Sequence, residues 1–297
     1  MNGLLNVLKP PGMTSHDVVA TVRRLTGAKV GHTGTLDPLA AGVLVLTVGA
    51  ATRLTDLLSQ QDKSYRAEIL LGVTTDTLDL EGPLTATANA VRLTAQEVQH
   101  ALSALCGRLE IEPPMFSAIK QGGRKLYQLA RGGQSVSRDR RTITVDRFQL
   151  VEFQPGECAR ALCDIRCSKG TYVRSLAALL GERLGYPACL GFLLRTAQGP
   201  YRLADSRTLE ELTSLAEAGC LHDALIPLQR VFPPERVLTV RPEQADLLRA
   251  GGQVPVGHAP SSDELVLVLC ADAPVCLAQV LTIRGAPVLQ PRKVMSS

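Results

Sequence analysis

The stretch Gly31–Gly49, GHTGTLDPLAAGVLVLTVG, gathers three glycines (Gly31, Gly34, Gly42), His32 and Asp37 within twelve residues, then runs into the apolar, β-rich segment Val43–Val48. The glycines open backbone turns that other residues resist. Pro38 pushes Asp37 out of the helical region toward an extended conformation. The pattern therefore presents one carboxylate on an ordered loop at the mouth of a strand, where a scaffold commonly holds a reacting group. An Asp-Pro pair flanked by glycines is also what an ordinary turn looks like. Residue sets for several other chemistries are missing. The chain has no P-loop, no dinucleotide-binding glycine pattern and no Ser-His-Asp arrangement readable from residue order.

Composition narrows the class. At 297 residues with 45% apolar content, the chain is of ordinary globular type, enough for one large domain or two smaller ones. No apolar run approaches a membrane span and the N-terminus lacks a signal-peptide pattern, so the cytoplasm is the expected location. The eight cysteines are scattered without a CxxC pair, which argues against zinc and for reduced thiols. Cys163 and Cys167 would share one strand face as small packing residues. The net charge is only +4, but residues 108–147 hold nine Lys/Arg against four Asp/Glu. A basic segment on a near-neutral body suggests a polyanion-facing arm, or else a solvated charged loop.

GHTGTLDPLAAGVL resembles the signature of the pseudouridine synthases, specifically the tRNA pseudouridine-55 synthases of the TruB type. The likeness covers roughly residues 4–200. It implies an α+β fold with a mixed, mostly antiparallel central sheet flanked by helices. It also implies isomerisation of uridine to pseudouridine in the T-loop of tRNA, with no cofactor or metal, no obligate protein partner, and a monomeric chain. Asp37 takes the place of the catalytic aspartate. Lys9–Asp17 matches the opening KPxGxTSxD, which puts Lys9 near the active-site loop, either reaching RNA or serving structure. Tyr65 of KSYRAEILL matches an active-site tyrosine and Arg174 of GTYVRSL matches the arginine beside the aspartate. Leu194, before Arg195, corresponds to a leucine beneath the target base. Asp76 in TTDTLDLEG is either a supporting hydrogen-bond partner or a plain turn carboxylate. His32 is a candidate stacking or wedge residue. Arg124 and Lys125 belong to a segment resembling the family's RNA-clamping insertion, about 108–141. The C-terminal part resembles a PUA-like RNA-binding barrel, giving an expected division into a catalytic domain, 1–232, and an accessory domain, 236–297. A non-catalytic tRNA-binding or RNA-folding module on the same scaffold is the alternative, though it would not require the set Asp37, Tyr65 and Arg174.

That chemistry suits these residue types. Pseudouridine formation breaks the N1–C1′ bond and rejoins the sugar to C5 of the base, without redox change. A carboxylate serves at the anomeric carbon, as in glycosidases. A neighbouring guanidinium favours its charged form and fixes its geometry. The base must first leave its stack.

The positioning elements follow from periodicity and capping. Leu4–Leu8, Val43–Val48, Lys63–Leu71, Thr142–Phe153 and Ala159–Cys167 read as strands. Thr14 with Asp17 and Thr94 with Glu97 form capping boxes that open helices, the first over Ser15–Thr26 and ended by Gly27. Thr52–Leu58, Lys125–Ala130, Thr171–Leu184, Thr208–Ala218 and Pro242–Ala250 also read as helical. Gly122-Gly123 and Gly132-Gly133 are candidate hinges, Val231–Pro234 a candidate linker, and LVLVLC and CLAQVLTI two late strands.

Overall fold

Lys63–Leu71 alternates buried and more open residues as far as Glu68, ends in the buried run Ile69–Leu71, and lies at the middle of the main sheet. The computed structural model describes residues 1–117, 119–121, 123–132, 134 and 136–295. Seven strands build this sheet: β1 (Gly3–Lys9), β2 (Ala41–Val48), β3 (Lys63–Leu71), β4 (Gly107–Ile111), β5 (Arg141–Gln154), β6 (Ala159–Cys167) and β7 (Ala188–Gln198). Their spatial order is β1-β2-β7-β3-β6-β5-β4, with Val30–His32 added beside β2 and Tyr201–Arg202 beside β7. Every pair in this path is antiparallel except β2–β7, which is parallel over Leu194↔Ala41 and Arg195↔Gly42. The mixed, mostly antiparallel sheet matches expectation.

The helices are α1 (Ser15–Thr26), α2 (Thr55–Ser59), α3 (Ala95–Ser103), α4 (Leu126–Arg131), α5 (Val173–Leu184), α6 (Leu209–Glu217) and α7 (Pro242–Arg249). The capping boxes of α1 and α3 are both formed, and Gly27 closes α1 in the left-handed conformation that only glycine takes readily. Thr52–Leu58 is not one helix: a 3-10 segment, Gly49–Leu54, precedes α2. Helices α3 and α5 cover one side of β3–β7, sharing a core with Tyr65, Ile69, Phe148, Leu176 and Leu180. Cys163 and Cys167 are buried in that core, and burial pushes their thiols up to about 12 and about 11, so they pack rather than react. Helices α1 and α6 cover one face of β1 and β2.

Strand β7 has no counterpart in the sequence reading. Gly191 and a buried Arg195 interrupt its apolar run, and two register shifts against β3 break simple alternation.

The C-terminal residues form β8 (Val237–Thr239), β9 (Val254–Pro255), β10 (Leu265–Cys270), β11 (Ala273–Ile283) and β12 (Ala286–Val294) in the order β8-β10-β11-β12-β9. These strands form one five-stranded sheet, a half-barrel where the resemblance implied a small barrel-like domain. Val231–Pro234 is not a free linker either. Leu228 and Phe232 are buried in a core that joins Leu4, Val43, Leu54 and Leu58 to Leu267, Leu277 and Met295.

A chain ending at Arg230 would strip that shared core. Uncovering even two of its leucines costs on the order of 3–6 kcal/mol, at about 1.5–3 each. The truncated chain is expected to melt well below the full chain and to bind an apolar dye; equal melting temperatures would show that the two sheets are energetically separate.

Candidate active site

The loop Thr33–Ala40 leaves the strand Val30–His32 and returns into β2, at the parallel junction with β7. Gly42 makes this junction possible. Its φ is +111°, and a Cβ there would lie 2.2 Å from the Arg195 carbonyl oxygen. The loop has almost no regular backbone pairing, so side chains satisfy its polar groups. Ser15 Oγ accepts from Leu36 N–H at 2.8 Å and donates to the Leu36 carbonyl at 3.0 Å. Lys9 Nζ, fully buried, donates to the carbonyls of Ala40 (2.6 Å), Pro10 (2.9 Å) and Pro38 (3.3 Å). Arg195, also buried, donates from Nε to Val43 O (2.6 Å), from Nη2 to Gly34 O (2.9 Å) and from Nη1 to Thr35 O (3.4 Å). Two cations thus hold the loop from opposite ends.

Asp37 sits at the tip of this construction. Its Oδ2 lies 2.9 Å from Arg174 Nη2; the Asp37 side chain keeps 33% of its surface open, the Arg174 side chain 4%. Arg174 is in the first turn of α5, preceded by Tyr172 as N-cap. It also donates from Nη1 to Thr77 O (3.0 Å) and from Nη2 to Phe116 O (2.9 Å), and its Nε lies 3.5 Å from Asp79 Oδ2. One guanidinium therefore ties the Asp37 loop, the 75–82 loop and the start of the basic insert together. Burial raises the Asp37 pKa above the usual carboxylate range; the Arg174 charge opposes this, and Asp79 adds to it.

A cleft of about 250 Å³ opens beside Asp37, lined by Tyr65, Leu193, Tyr172, Lys63 and Arg195 among others. That is just below the usual range for ligand sites, about 300–1,000 Å³, and suits a single flat ring. Tyr65 lies directly opposite Arg195 across β3 and β7, and their side chains interact. Burial pushes the Tyr65 hydroxyl up to about 12, so at neutral pH it is a phenol, able to stack and to donate. Burial likewise lowers Lys9 and Lys63 to about 8.

The structure brings Asp37, Tyr65 and Arg174 together and separates several other candidates from the cleft. Lys9 is sealed beneath the loop as a strut, because its three carbonyl acceptors leave it nothing to offer RNA. Leu194 faces the opposite side of β7: it pairs with exposed Arg66, whereas Leu193 and Arg195 share the face of Ala67 and Tyr65. Of these two neighbours, Leu193 is the one that lines the cleft. Asp76 is exposed, and the buried carboxylate behind Arg174 is Asp79. His32 borders a second, more open space that also reaches Asp37, with His16, Glu81 and Phe116; its Nδ1 is buried without a partner, and burial lowers its pKa. Arg124 and Lys125 form a short strand paired with Lys120–Gln121 in the insert, with Arg124 exposed. The suggested hinges each fall partly on Gly122 or Gly133, outside the described residues. Asp79 and Arg195 were given no role in the sequence reading. The one available signal was a charge inside the apolar run FLLRT, since an arginine in a strand core must be holding something.

A family model described as TruB family pseudouridylate synthase (N terminal domain) matches residues 22–173, just over half of the chain. The chain belongs to the TruB family. It is 49% identical over 262 residues to the tRNA pseudouridine synthase B of Symbiobacterium thermophilum, covering 88% of this chain and 84% of that one. The enzyme of the same name from Moorella thermoacetica is 50% identical over 219 residues, 73% of this chain and 72% of that one. Two solved structures share the fold at a TM-score of 0.72, each aligned over 99% of this chain and 85% of theirs: an H/ACA RNP bound to a substrate RNA containing 2′-deoxyuridine, at 22% identity, and a Cbf5-Nop10-Gar1 complex, at 24%. Asp37 lies inside the matched segment and Arg174 one residue past its end, and the fold brings the two side chains into contact.

Arg174→Gln tests the ion pair. It removes the charge that opposes burial, so the Asp37 carboxyl, followed by NMR titration, should protonate at higher pH than in the parent. Asp79, 3% exposed, loses its cationic partner, and breaking such a buried pair costs about 3–5 kcal/mol. A variant with parental stability and an unmoved Asp37 titration would show that the guanidinium is incidental.

Proposed function

We propose that this chain isomerises uridine to pseudouridine in tRNA, at position 55 of the T-loop, with Asp37 as the catalytic residue. The observation that carries this is one carboxylate, partly open to a cleft sized for a single base and paired to an almost fully buried arginine. The name shared by the relatives, tRNA pseudouridine synthase B, supports the same reaction.

The reaction asks little else of the protein. The N1–C1′ bond breaks, a C1′–C5 bond forms, and the proton on C5 is lost while N1 gains one, so reactant and product are isomers. A base taken out of its stack would enter between Tyr65 and Leu193. Asp37 would act at the sugar or base from the mouth of the cleft, held by Arg174 in the orientation that a reacting group needs. The buried cations Lys63 and Arg195 leave the cleft electropositive, which favours a polyanionic substrate.

The insert from about 108 to 141 is read as the arm that grips the tRNA, with Arg124 and Lys125 on its hairpin as phosphate contacts. Residues 236–297 are read as a PUA-like accessory part beside a catalytic domain of residues 1–232. Among the described residues no helix is long and apolar enough to cross a membrane, and the cytoplasm, where tRNA is processed, is the proposed location.

Asp37→Asn keeps the size and turn preference of the side chain but removes its charge. The expected result on a T-loop stem-loop is no detectable pseudouridine, with RNA affinity kept or slightly improved, the mark of an interaction made in the transition state. Pseudouridine formed near the parental rate would reduce Asp37 to a turn residue. A parent chain inactive on every T-loop RNA would instead favour a pure binding module.

Replacing Arg124 and Lys125 together by Ala should weaken tRNA binding. It should also lower the slope of log K against log salt by roughly 0.7–0.9 for each phosphate that is no longer neutralised. An unchanged slope would place both side chains off the RNA backbone.

A further inference from the structure

The basic insert leaves the sheet at the end of β4 and returns at the start of β5, where Arg141 pairs with Ile111. Arg138 lies at this neck. Its Nη1 donates to the Pro113 carbonyl at 3.0 Å, and its Nη2 pairs with the Glu112 carboxylate. The returning strand of the insert is thereby fastened to the departing one. The departing segment is in turn fastened to the active site. Ser175 Oγ donates to the Glu112 carbonyl at 2.9 Å, and Arg174 Nη2 donates to the Phe116 carbonyl at 2.9 Å, the same nitrogen that holds Asp37. Between these two ties lie Pro113 and Pro114, both buried. Their fixed φ makes the link between Glu112 and Phe116 stiff.

We infer that Arg138 is a positioning residue for the reaction: by closing the neck of the insert, it sets where the Phe116 carbonyl holds Arg174, and so where Arg174 holds Asp37. The inference rests on the reading of Asp37 as the reacting group. Its physical basis is that one nitrogen serves two acceptors. If the Phe116 carbonyl drifts, Arg174 follows it or loses it, and the Asp37 carboxylate moves in either case. Misplacement of a reacting group by about 1 Å can cost on the order of a hundredfold in rate. The arrangement also couples the two tasks of the site, since an insert closed on RNA and a correctly aimed Asp37 depend on the same neck. A bland alternative is that Arg138, like its basic neighbours, simply meets a phosphate.

The experiment compares the full-length parent, Arg138→Met and Ser175→Ala on a T-loop stem-loop RNA, with melting temperature as the fold control. Ser175→Ala alters no charge, so it tests the same linkage without touching the RNA backbone and remains informative if Arg138→Met fails to fold. The expected result is a fall in single-turnover rate at saturating RNA of roughly tenfold to a hundredfold for Arg138→Met, and a smaller fall for Ser175→Ala. RNA affinity should stay within about threefold of the parent and the salt slope should be unchanged, since the RNA phosphates keep all their cationic partners. In both variants the acid limb of the rate profile should move to higher pH, because a loosened Arg174 opposes the burial of Asp37 less. The double variant should be slowed by clearly less than the product of the two single effects, since both act on one linkage. A parental rate at saturation, combined with weaker binding and a shallower salt slope, would overturn the inference and make Arg138 a phosphate ligand. A parental rate with Ser175→Ala and strictly independent effects in the double variant would also overturn it. A parent that makes no pseudouridine would overturn the proposed function instead, so the two failures are distinguishable.

Discussion

The site depends on buried cations that donate to backbone carbonyls. Lys9 and Arg195 are completely sequestered, yet neither has a carboxylate as its main partner; each holds several carbonyl oxygens of the Asp37 loop and its flanks. Taking a charge out of water costs several kcal/mol, and the cost is offset only when nearly every donor finds an acceptor. That condition makes the loop rigid. Shifting any of the bound carbonyls strands a buried charge, so Thr33–Ala40 has few alternatives to the conformation it holds. A loop with little regular hydrogen bonding is thereby given the precision of a strand.

Arg174 extends the same device to the reacting group. Its guanidinium donates to two backbone carbonyls and forms ion pairs with two carboxylates, drawn from three segments of the chain. A lysine could supply the charge at this position but not the planar fork that reaches all four. The electrostatic outcome at Asp37 is a balance: burial and Asp79 push its pKa up, and Arg174 pulls it down. Such opposed effects are typical of sites where a carboxylate must be both shielded from water and available for chemistry.

The architecture explains why the site lies where it does. The sheet is antiparallel throughout its main path except at β2–β7, where two halves with separate helical covers meet. Two parallel strand ends place the Asp37 loop and Arg195 side by side. Gly42 lets the backbones approach more closely than any side chain would allow. The C-terminal sheet is joined to the opposite face of β1 and β2 by a common apolar core. Its orientation relative to the cleft is therefore set by packing and not by a flexible tether.

Much of this was readable before any fold was considered. The Asp-Pro turn between glycines, the two capping boxes and the period-two strands around Tyr65 and Cys163 are local patterns, and local physics is enough to read them. Asp37, Tyr65 and Arg174 were grouped by the family resemblance and not by local physics, and the fold puts all three at one cleft. What the sequence could not decide were matters of pairing and facing. Leu193 and Leu194 are chemically identical neighbours, and only the register of β7 against β3 says which one enters the cleft. Asp76 and Asp79 occupy the same acidic turn, and only the approach of α5 selects Asp79 as the buried partner. Lys9 carries the same charge whether it meets RNA or a carbonyl, and its burial depends on a loop distant from it in sequence. Strand β7 itself, which holds the sheet's two halves together, lacks a clean alternation because Arg195 and Gly191 answer to tertiary partners. Types and spacings of residues, matched to the TruB signature, pointed to the chemistry this chain carries. The face, depth and partner of each charge were left to the tertiary structure, because those depend on contacts between segments that no local pattern encodes.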